Sequence, residues 1–149
     1  MTKHQEYNNI SSESSKNTQI TNFFRGRGGL KTIFDDMILK GEEISLIGYN
    51  DLKGYEEEFE RFNQRRKEEN ISIRRVIPKT FKGKLKETFN CKIKYISDKY
   101  CDNTYLAVYA NKIAIIQWGE ELLTISIKVV ELTQNLREYF EFLWNIAKK

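Results

Sequence analysis

The chain has 149 residues, 40% hydrophobic and 31% charged, a balance ordinary for one folded domain burying about two-thirds of its unfolded surface. Its single histidine, His4, stands in a polar N-terminal stretch, and Cys91 and Cys101 lack paired metal-ligand spacing. This leaves little room for histidine-based catalysis, a metal site or a disulfide scaffold. The net charge of +4 conceals a segment, Arg61 to Lys99, with thirteen Lys/Arg against four acids, which reads as a solvated helix surface with a lysine-rich loop or, alternatively, as a basic face toward phosphates.

No apolar run approaches the roughly 20 residues of a membrane span, and the N-terminus MTKHQEYNNISSESSKN is polar, unlike a signal peptide. A cytoplasmic protein with no membrane partner and no cofactor is expected. Residues 1–21, rich in Ser, Asn, Thr and Gln, carry few apolar anchors and read as a flexible tail. Tyr7, Ile10 and Ile20 leave a short helix or strand open there. The folded domain is expected over 22–149.

Phe23 to Gly29 reads as a tight strand-to-helix turn, since the glycines match neither G-x-G-x-x-G nor G-x-x-x-x-G-K. Leu30, Ile33, Phe34, Met37 and Ile38 then form one apolar helical stripe closed by Gly41. Glu43 to Tyr49 has the length of a strand. Asn50 or Asp51 is placed to cap a second helix, with Leu52, Tyr55, Phe59 and Phe62 inward and Glu57 paired with Arg61. Ile71 to Ile77 is the next strand, ended by Pro78. Strand, helix, strand at these lengths predicts parallel pairing.

After a lysine-rich loop, Lys79 to Glu87, the alternation in Thr88 to Ile96 fits an edge strand, and Asp98 to Asn103 is a polar connection. Thr104 to Tyr109, Lys112 to Trp118 and Leu122 to Ile127 form the densest β-branched and aromatic run, joined by Ala110-Asn111 and Gly119-Glu120. A long helix from about Val129 closes the chain, with Leu132, Leu136, Tyr139, Phe140, Leu143 and Ala147 on one face. Phe142, Trp144 and Ile146 widen that face enough to suggest a second subunit. The fold class is α/β, a mixed sheet flanked by helices.

The turn FFRGRGGLKTIFDDMI, the strand EISLIGYN, the charged helix with Arg65 and Arg66 before ISIRRVI, the pair TYLAVYANKIAIIQW and the ending YFEFLWNIAKK follow one another in a familiar order. From Phe23 onward this resembles the C-terminal effector domain of TrmB-type archaeal transcriptional regulators, which has a phospholipase D-like fold. Such regulators carry a helix-turn-helix ahead of this domain, and residues 1–22 do not resemble one. The resemblance implies a stand-alone effector domain or a fragment, pairing as a homodimer and working with a separate helix-turn-helix protein.

Phospholipase D-type enzymes use H-x-K-x-x-x-x-D, whose histidine attacks phosphorus and whose lysine holds the phosphoryl oxygens. Laid on this sequence, the three positions are Thr104, Leu106 and Asn111, so the resemblance implies a degenerate catalytic motif and no enzyme. A regulatory module binding a small polar or anionic effector at the end of the sheet strands is the expected function. Candidate contacts are Gly48, Tyr49 and Asn50, Arg74 or Arg75, and Thr104 with Tyr105. Against them, Tyr49 fits the core, Asn50 a helix cap and the arginines a solvated surface. The alternative is nucleic-acid binding through Arg65, Arg66, Arg74, Arg75, Lys82, Lys84 and Lys86, although no aromatics are displayed between them for stacking.

Overall fold

A computed structural model of the chain describes residues 20–50, 52–85, 88–101 and 104–149. In chain order the elements are β1 (Ile20–Arg25), α1 (Gly26–Lys40), β2 (Ile44–Ile47), α2 (Glu56–Glu69), β3 (Ile73–Pro78), a 3-10 turn (Lys79–Phe81), β4 (Cys91–Ile96), β5 (Tyr105–Tyr109), β6 (Lys112–Gln117), β7 (Leu123–Lys128) and α3 (Val130–Ile146). Among the described residues the strands form one sheet in the order β1-β7-β6-β5-β2-β3-β4. β2 runs parallel to β3 and β3 to β4, whereas β5, β6 and β7 form an antiparallel meander joined to β2 and β1. The α/β mixed sheet, the parallel β2-β3 pair and the edge position of β4 are as the sequence predicts.

Every residue of β2 is buried, as expected of a strand covered on both faces. α1 and α2 cover one face, where Leu30, Ile33, Phe34, Met37 and Phe62 pack on Ile44, Leu46, Ile73, Tyr105, Ala107 and Tyr109. α3 covers the other, where Phe140, Leu143 and Ala147 pack on Ile47, Val76 and Ile96.

The turn at Phe23 to Gly29 is the tight strand-to-helix corner expected, since α1 follows β1 without a break. Gly29 is there for close approach: a Cβ at this position would lie 2.4 Å from the Phe24 Cβ. β1 begins at Ile20, so the sheet takes in Ile20 and Thr21 from the stretch read as tail, while residues 1–19 lie outside the described residues.

Two helices differ from expectation. α2 starts at Glu56 rather than after Asn50, because the Asn50 side-chain oxygen instead accepts the Leu52 N–H at 3.0 Å and holds Leu52 at φ 62° in a turn. Tyr55 takes the cap position without a side-chain bond, and Glu56, Glu57 and Glu58 fill the first turn, where carboxylates complement the helix dipole. Asp51 lies outside the described residues. α3 is rotated about its axis. Phe140, Leu143 and Ala147 are buried as expected, whereas Leu132 and Tyr139, also expected inward, are exposed, and Thr133, Arg137, Glu141 and Trp144 turn toward the sheet in their place. Polar tethers at i, i+4 and i+8 explain the rotation: Thr133 donates to Asn111 O, Arg137 to Ala110 O, and Glu141 accepts from Arg74.

α1 is tied to the meander through Asp36, which accepts from the Tyr109 hydroxyl at 2.6 Å and from Lys112 at 2.9 Å. Burial opposes ionisation of Asp36, but these two donors hold it below the usual carboxylate range. Arg65 and Lys31 do the same for Asp35, Arg27 for Glu58 and Arg74 for Glu141. Burial, and for Tyr109 also Asp36, pushes the Tyr105 and Tyr109 hydroxyls up. Depressed carboxylates stabilise the fold above the unfolded value of about 4, and that contribution disappears as pH falls through the lower folded values. Raised tyrosines stabilise it below about 10, and theirs disappears as pH rises. Urea unfolding is therefore expected to show a plateau of midpoints between about pH 5 and 9 with a decline on both sides. A midpoint that rises below pH 4 would contradict this assignment.

Candidate functional site

Side chains alternate across a strand, so neighbours in sequence lie on opposite faces of the sheet. The consequence is decisive for the expected site. In register, Arg75 is opposite Leu46 on the α1/α2 face, and Arg74 is opposite Ser45 on the α3 face. Tyr105 packs with the α1/α2 core, whereas Leu106 packs against the α3 core. Thr104 shares the parity of Leu106, and its hydroxyl bonds to Gln117 at 2.6 Å.

The predicted contacts thus divide. Arg74 is held between Glu43 and Glu141, with its guanidinium 5.0 Å from the Phe140 ring centre and 5.3 Å from that of Trp144. These partners raise its pKa, the Glu141 bond foremost, against the effect of burial. Its charge is employed in fastening α3 to the sheet. Asn111 lies at the far end of β5 from Thr104, where its carbonyl accepts from Thr133.

Gly48, Tyr49, Asn50, Arg75 and Tyr105 do come together. Gly48 ends β2 at φ 99°, a left-handed conformation that suits glycine, and its N–H donates to Val76 O at 2.9 Å. The chain then turns so that the Asn50 carbonyl accepts from the Tyr105 hydroxyl at 3.4 Å. Arg75 donates to the same hydroxyl at 3.2 Å, and its guanidinium lies 5.5 Å from the Tyr49 ring centre and 5.7 Å from that of Tyr105. Its Nε is buried and has no hydrogen-bond partner among the described residues.

Beside this group, between α1, α2 and the sheet, is a cavity of about 290 Å³. Phe34, Phe59 and Phe62 form one wall, with Phe34 stacked on Phe62 at 4.2 Å and edge-on to Phe59 at 4.8 Å. Leu46, Ala107, Ile116 and Tyr105 form the sheet side, and Leu85 and Thr88 contribute from the loop before β4. Trp118 packs edge-on to Tyr105 at 4.9 Å behind that wall. Glu56 and Glu60 are exposed at the rim, where Glu56 accepts the Gly54 N–H.

At the cavity also lies Arg66, whose side chain is fully buried. It donates to Ile71 O at 2.9 Å, twice to the Asn63 side-chain oxygen at 3.2 and 3.0 Å, and to Thr88 at 3.3 Å. Burial lowers its pKa, and the charge on Arg75 adds to that. The sequence reading offered Arg66 as a surface phosphate contact, and the structure corrects this. The signal was available, since Phe59, Phe62 and Arg66 follow the i, i+3, i+7 spacing of an inward stripe.

The rest of the basic segment is likewise dispersed. Arg65 pairs with Asp35, and Lys82 donates to Lys149 O with its ammonium 5.6 Å from the Tyr95 ring centre. Lys84 is exposed, and Lys86 lies outside the described residues. Among the described residues no three His, Cys, Asp or Glu side chains converge as a metal site, and no helix is long and apolar enough to cross a membrane.

By sequence, no protein family and no curated protein matches the chain. Solved structures do match. NucT from Helicobacter pylori aligns with a TM-score of 0.62 and 11% identity over 88% of this chain and 99% of NucT. Nuc from Salmonella typhimurium, a phospholipase D family member, aligns with a TM-score of 0.64 and 9% identity over 88% and 97%. TrmBL2, an archaeal chromatin protein whose structure shows a novel mode of DNA binding, aligns with a TM-score of 0.58 and 12% identity over 97% of this chain and 60% of TrmBL2. Both kinds of protein named by the sequence resemblance are therefore among the structural neighbours, and the chain has a phospholipase D-like fold.

Proposed function

We propose that the chain is a non-enzymatic regulatory module on a phospholipase D-like fold, which takes a small effector in the cavity beside Tyr49, Arg75 and Tyr105. The observation that carries this reading is the contrast between the two faces of β5. On one face, the positions that the resemblance assigns to phosphoryl chemistry serve packing: Leu106 joins the α3 core, and Thr104 is bonded to Gln117. On the other face, a concave apolar space adjoins a few convergent polar groups, the usual makeup of a ligand site.

Hydrolysis of bis(4-nitrophenyl) phosphate tests the absence of catalysis. The expected rate equals the buffer blank for both the wild type and Thr104→Ala. A wild-type rate above the blank that Thr104→Ala removes would overturn the reading.

Pairing of two copies belongs to the same proposal. α3 packs on β2, β4, β5 and β6, and among the described residues no helix covers the β7-β1 end of that sheet face. There Phe23, Ile125, Ile115 and Leu106 fall in one cross-strand row, and Phe23 is 49% exposed. The adjoining flank of α3 exposes Leu132, Tyr139, Phe142 and Ile146. A patch of this kind is what an isologous contact between copies covers. A helix-turn-helix partner remains part of the proposal as the DNA-reading component. Nucleic-acid binding by the basic segment itself is disfavoured by the inward placement of Arg66 and Arg75.

A further inference from the structure

We infer that the effector is a small monocarboxylate with an uncharged apolar body, its carboxylate held inside the cavity by Arg75 next to Arg66. This rests on the reading of the cavity as the effector site and names the chemistry of its ligand. Arg25, Arg27, Arg65 and Arg74 each reach a carboxylate. Arg66 and Arg75, the two arginines lining the cavity, have no carboxylate partner among the described residues. Arg66 is fully buried and Arg75 half-buried, and holding such cationic groups in an apolar site without a counter-ion is costly, a cost that an anion entering the site reduces.

Arg75 is preorganised for this task. The Tyr49 and Tyr105 rings and the Tyr105 hydroxyl fix its guanidinium, whose terminal nitrogens carry more N–H donors than the single bond to Tyr105 uses among the described residues, so that a planar carboxylate can bond there. Arg66 has most of its donors in use and contributes chiefly its charge. The volume lies near the lower limit of ligand pockets, roughly 300 to 1,000 Å³, which suits a phenyl ring or a medium-length alkyl chain. Glu56 and Glu60 at the rim repel a second negative charge, so the anionic end points inward and the remainder is neutral. A phosphate dianion would lose more hydration on entry than a carboxylate for the same two guanidinium groups.

Calorimetric titration of the full chain with matched acids and amides tests this: phenylacetate against phenylacetamide, and octanoate against octanamide. At least one acid is expected to bind tenfold or more tightly than its amide, since a bond to a charged group is lost in the amide. Arg75→Gln is expected to bring that ratio near one and Arg75→Lys to retain part of it. The ratio is read within each variant, so a change in stability does not move it. Equal binding of acid and amide by the wild type, or an unchanged ratio in Arg75→Gln, would overturn the carboxylate clamp and leave the cavity as a site for neutral ligands. Tighter binding of phenyl phosphate than of phenylacetate would overturn the choice of carboxylate. If no acid and no amide binds, the reading of the cavity as an effector site falls as well.

Discussion

Arg66→Ala is expected to lower the free energy of unfolding by about 3 kcal/mol, read from urea midpoints at constant slope. Arg66 joins three elements from inside the protein, since it donates to Ile71 O just before β3, to Asn63 on its own helix and to Thr88 ahead of β4. Truncation strands the buried Ile71 carbonyl at roughly 1 to 3 kcal/mol, removes the bonds to the half-buried Asn63, and enlarges a cavity already present. Relief of a buried, unpaired charge works in the opposite direction. Arg66→Met separates these contributions, because it refills the volume and removes the charge without restoring the bonds. It is expected to regain about half of the loss. If Arg66→Ala stays within about 0.5 kcal/mol of the wild type, Arg66 does not organise this part of the fold.

The same residue shows what the sequence makes legible. Strands in the β5 to β7 meander announce themselves by β-branched and aromatic runs, and the inward stripe of α1 by its 3.6 period, because each signal is local. Parity along strands is also local, and it implies that Arg74 and Arg75, or Thr104 and Tyr105, cannot share one pocket. Residues adjacent in a motif suggested a site that the sheet divides. What the sequence does not disclose is the cavity, which depends on how α2 and the loop before β4 settle on the sheet. Nor does it disclose that Asn50 serves a turn instead of a helix cap, since the same side chain suits either and tertiary packing selects one. The α3 rotation has a similar origin, in partners on β3 and in the Ala110-Asn111 turn that lie far away in sequence.

That rotation sets up the sharpest contrast between two neighbouring aromatics. Phe140 is fully buried, stacked on Trp144 at 5.9 Å and covered by Arg74, whereas Phe142 is 59% exposed. Phe140→Ala is expected to cost about 4 kcal/mol in urea unfolding, combining lost burial with a cavity where α3 meets β2 and β3. Because Phe140 also backs the Arg74 guanidinium, the ion pairs from Arg74 to Glu43 and Glu141 loosen with it. In dilute, monomeric protein Phe142→Ala is expected to stay within about 0.5 kcal/mol of the wild type. Its effect belongs to assembly: Phe142→Glu places a charge in the patch proposed to pair two copies, and light scattering at high micromolar concentration should show a dimer for the wild type and a monomer for this variant. A wild-type protein that scatters as a monomer, or a Phe142→Glu variant that remains dimeric, would remove this flank of α3 from the proposed interface. A Phe140→Ala loss below 1 kcal/mol would show that α3 is held by its polar tethers alone.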